Sequence, residues 1–487
     1  MTTVLTPSSL PTLADAPQPD RADTLRSDLA AMTLDGVSFS VMVGLGETYL
    51  AAFLLALGKS ELAAGLVGTL PMLAGAVLQF VTPRAVARLG SCRRWVVWCA
   101  TVQALSFLPL ALAAWAGAIP TPVVFLIAAV YWGTGMATGP AWNAWVETLV
   151  PVHIRARYFA RRTRAAQIGV FAGLVGAGVA LQTGRSEGHV LTVFAAMFVG
   201  AMLARLFSAA CLARQSEPHP PQRRHAPHGD GVRGTASAAL ALISRHFTGP
   251  NGRLLRYLLL MQIGVQIAGP YFTCYMLEHL HLSYGQYVGL LSMSFVSKIA
   301  VLPALGSFAR RAGARRLLWL GAVGVVPLPA LWLVSDSFWY LLAVQMIGGL
   351  AWAAHELAML LLFFETIPRQ ERTGVLTVFN FANAAAMAAG TLVGAALLGA
   401  LGEERGTYLL LFALSAAART VPLAFLVRLP ERVAAFAPIA MRILAVRPSS
   451  GSMERPVLPS IPELPHEPEA ESQPRESDAT GIRERRL

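Results

Sequence analysis

Long apolar stretches recur at residues 32–57, 61–82, 95–117, 121–148, 165–183 and 190–213, and again at 254–280, 284–308, 315–335, 338–366, 374–400 and 406–429. Each approaches or exceeds the roughly 20 residues that a helix needs to cross a hydrocarbon core. No water is available there to satisfy backbone polar groups, so a single segment must cross as a helix. The pattern predicts an all-α membrane protein with twelve transmembrane helices, arranged as two six-helix bundles over residues 32–214 and 254–430. Polar segments frame them: an N-terminal tail at 1–31, a central loop at 215–253 and a C-terminal tail at 431–487. Within the last, residues 456–476 are rich in Pro, Glu and Ser and are expected to be disordered, because they lack the apolar content that offsets ordering entropy. Residues 235–246 of the central loop are expected to form a short amphipathic surface helix.

Composition supports the membrane reading. Hydrophobic residues make up 55% and charged residues 14% of the chain, against about 25% charged in soluble domains, and the mean hydropathy is +0.54. The net charge of +12 comes almost wholly from arginine, since Lys59 and Lys298 are the lysines. These arginines sit between apolar stretches and not in a basic patch interleaved with stacking aromatics, so a nucleic-acid partner is not expected. Arg84, Arg88, Arg93 and Arg94 follow span 2; Arg155, Arg157, Arg161, Arg162 and Arg164 follow span 4; Arg310, Arg311, Arg315 and Arg316 follow span 8; Arg369 and Arg372 follow span 10. The opposite loops carry little more than Lys59, Arg185 and Arg405. The positive-inside rule then places both termini and the central loop in the cytoplasm of an inner (plasma) membrane protein. The first thirty residues contain no apolar h-region, so no cleavable signal is expected. Cys92, Cys99, Cys211 and Cys274 show no two-residue spacing and are read as reduced structural residues. No metal site, cofactor or catalytic constellation is expected.

The two sets of spans share an internal repeat. Pro151, Arg155 and Gly173 correspond to Pro368, Arg372 and Gly390 at one offset of 217 residues. Glu147 and Thr148 have counterparts in Glu365 and Thr366, shifted by one, and RAVARLGSCRR after span 2 has a counterpart in FARRAGARR after span 8. Parallel repeats of this kind are a plan used by secondary transporters.

On these motifs the chain resembles the major facilitator superfamily. The loop after span 2 keeps the family's Arg88, Gly90, Arg93 and Arg94, and the loop after span 8 keeps Gly306, Arg310, Arg311, Gly313, Arg315 and Arg316. The family's loop Asp is missing from both copies, where Ala87 and Arg310 stand. WVETLVPVHIRARYFARR resembles the loop after the family's fourth helix, with Pro151 and Arg155 at matching positions. Span 5 has Gly169, Gly173, Gly176 and Gly178 in place of the Gly-Pro pair of drug antiporters, and span 11 has Gly390, Gly394 and Gly399. The resemblance implies twelve helices, a monomer, and secondary transport of a small organic solute by alternating access, with spans 1, 4, 7 and 10 bordering the central cavity.

Ionisable residues inside spans are site candidates by default. Glu47 in span 1, Lys298 in span 8, and His355 with Glu356 in span 10 lie farthest from span ends. Lys298 lies too deep to snorkel easily and is expected to face a cavity, with Glu356 or Glu47 as its acidic partner. Gln345, Gly349, Trp352 and Glu356 share one helical face of span 10, and Gln262, Gln266, Gly269 and Thr273 share one face of span 7. Trp142 and Asn143 in span 4, after Gly139-Pro140, and Asn380 and Asn383 in span 11 complete the candidate cavity set. Glu147, Glu365 and Asp35 near the cytoplasmic span ends are expected to pair with Arg155 or Arg372 as a gate. Proton coupling through Glu47, Glu356 or His355 is a further expectation, since a carboxylate or histidine whose hydration changes can exchange protons. Two other readings stay open: a transport-inactive sensor or scaffold on the same fold, which the C-terminal tail favours, and a membrane-embedded lipid-modifying enzyme. The second is disfavoured because His355 and Glu356, as neighbours, point about 100° apart on a helix.

Overall fold

A computed structural model of the chain describes residues 19–217, 252–366 and 372–427. Every regular element among them is helical, and eleven helices are long and apolar enough to cross a membrane. Span 7, the remaining crossing, is assembled from shorter pieces. Its helix Gly252–Ala268 gives way to a 3-10 turn at Gly269–Tyr271, a short turn at Phe272–Cys274 and a π turn at Tyr275–His279. Pro270 has no N–H for the carbonyl four residues earlier, and its ring crowds that carbonyl, so the helix breaks at the Gly-Pro pair. Pro140 in span 4, by contrast, sits inside the continuous helix Thr121–Leu149.

One boundary differs from that read in the sequence. The first helix begins at Pro19 and runs to Leu45, so residues 19–31 are helical and not part of a polar tail. Their buried face accounts for this: Tyr158 Oη donates to the Leu29 carbonyl at 2.8 Å, and Asp28, itself buried, accepts from the Ser216 backbone N–H at 2.8 Å. The start of the central loop is likewise fixed. Glu217 accepts from Ser91 Oγ at 2.5 Å and from the Cys92 N–H at 2.7 Å, capping the helix Cys92–Leu105, while Trp145 Nε1 donates to the Ser216 carbonyl at 2.9 Å. The amphipathic helix expected at 235–246 and the disordered C-terminal tail lie outside the described residues.

Helix pairing repeats from half to half. In the first half, span 1 (Pro19–Leu45, continued through Leu50–Ala56) packs on span 5 (Val152–Ser186) and span 6 (Val190–Arg214). Span 2 (Glu61–Leu66 and Leu70–Leu78) packs on span 4, and span 3 (Cys92–Leu105 and Phe107–Ala116) on spans 4 and 6. Span 7 repeats span 1 by packing on span 11 (Arg372–Leu401) and span 12 (Arg405–Thr420 and Leu423–Val427). Span 8 (Tyr284–Ala312) packs on span 10 (Phe338–Thr366), and span 9 packs through Ala314–Val325 on span 10 and through Leu328–Leu331 on span 12. The halves meet through span 2 against span 11 and span 5 against span 8, two contacts that exchange when every span number shifts by six. The 217-residue offset in the sequence is therefore a three-dimensional two-fold relation.

Two of the repeated residues show what the repeat preserves. Gly173 lies against the Val41 carbonyl and the backbone of Gly44 in span 1, and Gly390 against the Ile263 carbonyl in span 7. A Cβ at either position would strike backbone that has no rotamer to yield. Lipid tails are as apolar as leucine, so such close approach, and not hydrophobic exclusion, holds spans together. Gly176 of the same span 5 has open space around it. We expect Gly390→Val to lower the melting temperature of the purified protein markedly, with a cost of about 1–3 kcal/mol for overpacking, while Gly176→Val leaves it within error. Equal melting temperatures would show that the span 7–span 11 contact does not limit stability.

Candidate functional site

A small cavity of about 70 Å3 lies on the seam between the halves. Span 1 contributes Glu47, Thr48, Leu50 and Ala51; span 2 contributes Ala64, Gly65, Thr69 and Met72; span 4 contributes Trp132; span 7 contributes Gln266, Pro270 and Thr273; and span 11 contributes Met387. Irregular backbone lines it on both sides. Glu47 opens the 3-10 turn Glu47–Tyr49 that interrupts span 1, and Pro270 marks the break in span 7. Non-helical backbone at membrane depth is tolerated where it lines a cavity or is buried in protein. Tyr131 Oη donates to Glu47 Oε2 at 2.5 Å, and its ring packs edge-on against Phe107 and Trp132, with centroids 5.3 and 5.6 Å away.

The end of the bundle away from the arginine-rich loops is closed by contacts between halves. Glu61, at the start of span 2, pairs with His279 Nε2 at 3.1 Å and accepts from Tyr408 Oη. Glu403, from the loop between spans 11 and 12, accepts from the Leu62 N–H at 2.9 Å and the Glu61 N–H at 3.3 Å, a carboxylate placed where a helix start exposes donors. Gln182 Oε1 accepts from the Gly285 N–H at 3.0 Å. Beneath this layer the Tyr271 ring fills the space left by two glycines, Gly65 of the first half and Gly394 of the second, and its hydroxyl donates to the Thr391 carbonyl at 2.9 Å.

Lys298 has its carboxylate, but inside the second half. Its Nζ donates to both oxygens of Glu356 at 2.9 and 3.0 Å, with both side chains buried. The pair joins span 8 to span 10 and is not part of the cavity wall. His355 points elsewhere: its Nδ1 meets Tyr257 Oη of span 7 at 3.2 Å, its ring lies edge-on to Trp352, and its Nε2 is buried with no partner among the described residues. Gln262 is fully buried with both side-chain polar atoms unpartnered among the described residues.

The first half contains a second buried charge cluster. Asp35 pairs with Arg162 Nη2 at 3.1 Å and accepts from Ser208 Oγ at 2.7 Å, and Arg205 Nη1 lies 3.9 Å from it. Arg205 also donates to Gln103 Oε1 at 2.8 Å. Asp35 thus bonds to Arg162 and Arg205, where the sequence suggested Arg155 or Arg372. Sequence reasoning missed Arg205 and its counterpart Arg419 in span 12, which donates to the Val325 carbonyl at 3.0 Å. The repeated Ala-Arg dipeptides Ala204-Arg205 and Ala418-Arg419 were the available signal.

Of the cavity set read from the sequence, Glu47 and Gln266 line this cavity, and Gln262, Lys298, Trp352, His355 and Glu356 pack within the second half. Trp142 lies under the Arg162 guanidinium, 4.8 Å from its centroid. Asn143, Gln345 and Asn380 are half-buried. Asn383 Nδ2 approaches Met387 Sδ at 3.7 Å. In the loop motifs, Gly90 and Gly313 both adopt positive φ, +62° and +86°, the conformation that selects glycine at such turns. Arg88, Arg94, Arg310 and Arg311 are exposed, and Arg93 Nη1 donates to the Gln215 carbonyl at 3.1 Å. The side chains of Glu147, Arg155, Glu365 and Arg372 lie outside the described residues. Among the described residues, no three His, Cys, Asp or Glu side chains come together to hold a metal.

Two half-bundles related by a repeat, with a cavity on their seam, form the architecture of a polytopic membrane carrier. The sequence matches the Major Facilitator Superfamily over residues 34–261 and 254–457. The chain belongs to that superfamily, whose members are membrane transport proteins. Solved structures with the same fold include the nucleoside transporter NupG (TM-score 0.58, 12% identity, covering 82% of this chain and 98% of that one). A POT family transporter in complex with 5-aminolevulinic acid follows (0.59, 14%, 84% and 97%). So does a bacterial homologue of the iron transporter ferroportin in an inward-facing state (0.61, 13%, 84% and 99%). At these identities the likeness establishes the fold alone. No curated protein matches the sequence.

The Lys298–Glu356 geometry makes a stability prediction. Lys298→Ala strands a carboxylate in the second half and is expected to cost about 3–5 kcal/mol, whereas Lys298→Met combined with Glu356→Met removes both charges and should recover most of the loss. Thermal unfolding of the two variants in detergent decides the matter; a double variant no more stable than the single would show that the pair is not a brace.

Proposed function

We propose that the chain is a secondary active transporter of a small organic solute, which rocks its halves about the seam cavity and alternately opens it to either side. The observation that carries this reading is the cavity's position: it lies between symmetry-related halves and directly beneath the contacts that close one end. Residues 32–214 and 254–430 act as the two moving bundles. The arginine-rich end is cytoplasmic by charge asymmetry, which puts both termini and the central loop on that side of an inner membrane and makes the Glu61 end the outer one. The closed layer of Glu61, His279, Tyr408 and Glu403 is then the outer gate. The cytoplasmic gate is assigned to Glu147, Arg155, Glu365 and Arg372.

Coupling to protons is assigned to Glu47. Among the described residues it is the ionisable one on the cavity wall, where hydration would change as the halves move, whereas Glu356 is occupied by Lys298 and His355 faces Tyr257. His355 and Glu356 of span 10 turn toward different helices, His355 to Tyr257 of span 7 and Glu356 to Lys298 of span 8, which also favours a transporter over a lipid-modifying enzyme, because the two do not converge on a shared reaction point.

Spin labels test the rocking. Labels at Lys59→Cys and Glu404→Cys report the outer end, and labels at Arg88→Cys and Arg311→Cys report the other. Alternating access requires the two distances to change in opposite senses, and Gly65→Ala, which displaces Tyr271, should shift the population toward an open outer end by about tenfold (about 1.4 kcal/mol). Distances that stay fixed at both ends in all conditions would leave a scaffold as the better description. In proteoliposomes, Glu47→Gln is expected to abolish the response of transport to a pH gradient; a full response in that variant excludes coupling through this carboxylate.

A further inference from the structure

We propose that Arg419, inside the second half, holds a small monovalent anion such as chloride, at a site apart from the seam cavity and independent of the transport reading. The case begins with Arg205, its counterpart in the first half. The Arg205 guanidinium donates through Nε to Gln103 Oε1 at 2.8 Å and through Nη1 to Ser208 Oγ at 2.6 Å, and the same Nη1 lies 3.9 Å from Asp35. Arginine keeps its proton inside proteins, so a buried guanidinium needs a negative charge and acceptors close by. Asp35 supplies that charge to Arg205.

The second half repeats the cation and none of those three side chains. Gly173 lies against the Val41 carbonyl and Gly390 against the Ile263 carbonyl. This matches span 1 to span 7 and puts Tyr257 where Asp35 stands, six residues earlier in each. The loop pairs Arg93-Arg94 and Arg315-Arg316 match span 3 to span 9 and put Val325 where Gln103 stands, nine residues after the second arginine. Ala204-Arg205 and Ala418-Arg419 match span 6 to span 12 and put Pro422 where Ser208 stands. The register holds in space, since Arg419 reaches Val325 as Arg205 reaches Gln103, but it finds only the backbone carbonyl there, 3.0 Å from Nη1. Tyr257, in the place of Asp35, turns its hydroxyl to His355 Nδ1 at 3.2 Å.

Arg419 is 3% exposed, and its Nε, the atom that bonds Gln103 in the Arg205 arrangement, is buried with no partner among the described residues. The described acids of the second half are placed elsewhere. Glu356 is held by Lys298 and Asp336 by Arg405, while Glu278, Glu403 and Glu404 lie at the end away from the arginine-rich loops. The helices differ as well. Cys92–Leu105 of span 3 packs along span 6, whereas Ala314–Val325 stands farther from Arg405–Thr420, and span 9 meets span 12 through Leu328–Leu331. Arg419 reaches across that wider separation. Gly321 abuts the His355 backbone one turn before Val325, so His355 and Arg419 address one face of span 9, and His355 Nε2 is a second buried polar atom without a partner among the described residues. One guanidinium balances one negative charge. Lys298 is neutralised by Glu356, and Arg256 is exposed at the start of span 7 on the Gly252 carbonyl, so a doubly charged sulfate or phosphate would remain half-balanced.

Two measurements on the full-length protein in lipid nanodiscs test the site: equilibrium dialysis of radiolabelled chloride, and thermal unfolding in sodium chloride against sodium gluconate at matched ionic strength. Chloride should bind saturably and raise the melting temperature by about 3 °C or more at saturation. Tyr257→Asp returns the first half's acid to Arg419, and should weaken chloride binding at least about tenfold and remove the melting shift while the protein stays folded in gluconate. Arg419→Gln should likewise abolish binding. If that variant fails to fold, Tyr257→Asp decides, because it keeps the cation and changes only what balances it. The proposal is overturned if the wild-type protein shows no saturable chloride binding, or if its melting temperature rises with salt without saturating. It is also overturned if sulfate binds more tightly than chloride, or if either folded variant keeps the wild-type affinity.

Discussion

A charge inside a membrane bundle costs roughly 2.5–3.5 kcal/mol on insertion scales at the centre of a span, and a stranded partner of a buried pair costs more. That constraint organises both halves of this protein. In the first half it gathers Asp35, Arg162 and Arg205 around Ser208; in the second it joins Lys298 to Glu356. Each cluster ties together spans of one half, so the bundle-bracing charges lie inside the halves and away from the seam. Glu47, by contrast, lies on the cavity wall between the halves, where Tyr131 holds one of its oxygens.

Much of this was legible in the sequence, because the lipid leaves few alternatives. Apolar runs of about 20 residues must be helices, so the twelve spans and their division into two sets followed from pattern. The Gly173–Gly390 match fell on helix contacts that only a missing side chain permits. The Lys298 partner was narrowed to two carboxylates, and distance to Glu356 chose between them. What the sequence did not reveal has a common cause. The cavity wall includes spans 2 and 11 through Gly65, Thr69, Met72 and Met387, residues that are ordinary in any membrane helix and become a surface only through packing. Periodic polar faces on spans 7 and 10 looked like a cavity lining, yet while Gln266 and Thr273 line it, Gln262, Trp352 and Glu356 pack within their own half. Periodicity identifies a face and says nothing about whether it meets a void or a helix. The residues ahead of 32 read as a tail because polar side chains dominate them; their helix depends on Ser216 and Tyr158, more than a hundred positions away.

The superfamily's loop Asp has no counterpart here, yet the loop after span 2 is not without an acid. Glu217, from the start of the central loop, reaches the N-terminus of span 3 beside Arg93 and Arg94. A carboxylate at a helix N-terminus is favoured by the exposed N–H groups whichever part of the chain provides it. The negative charge near this loop is therefore contributed by the segment that connects the halves, and the geometry of the connection is written into the first half.

The Tyr271 ring sits in a socket with one wall from each half, Gly65 and Gly394, while Gly65 also borders the cavity. On the alternating-access reading proposed above, parting of the halves at this end would take the ring off the Gly65 wall and join the space it vacates to the chamber. Gate and chamber would then draw on one shared volume. A solute that occupied it would hold the ring out as a wedge holds a door, and the outer end could shut only on a cargo small enough to leave room for a phenol.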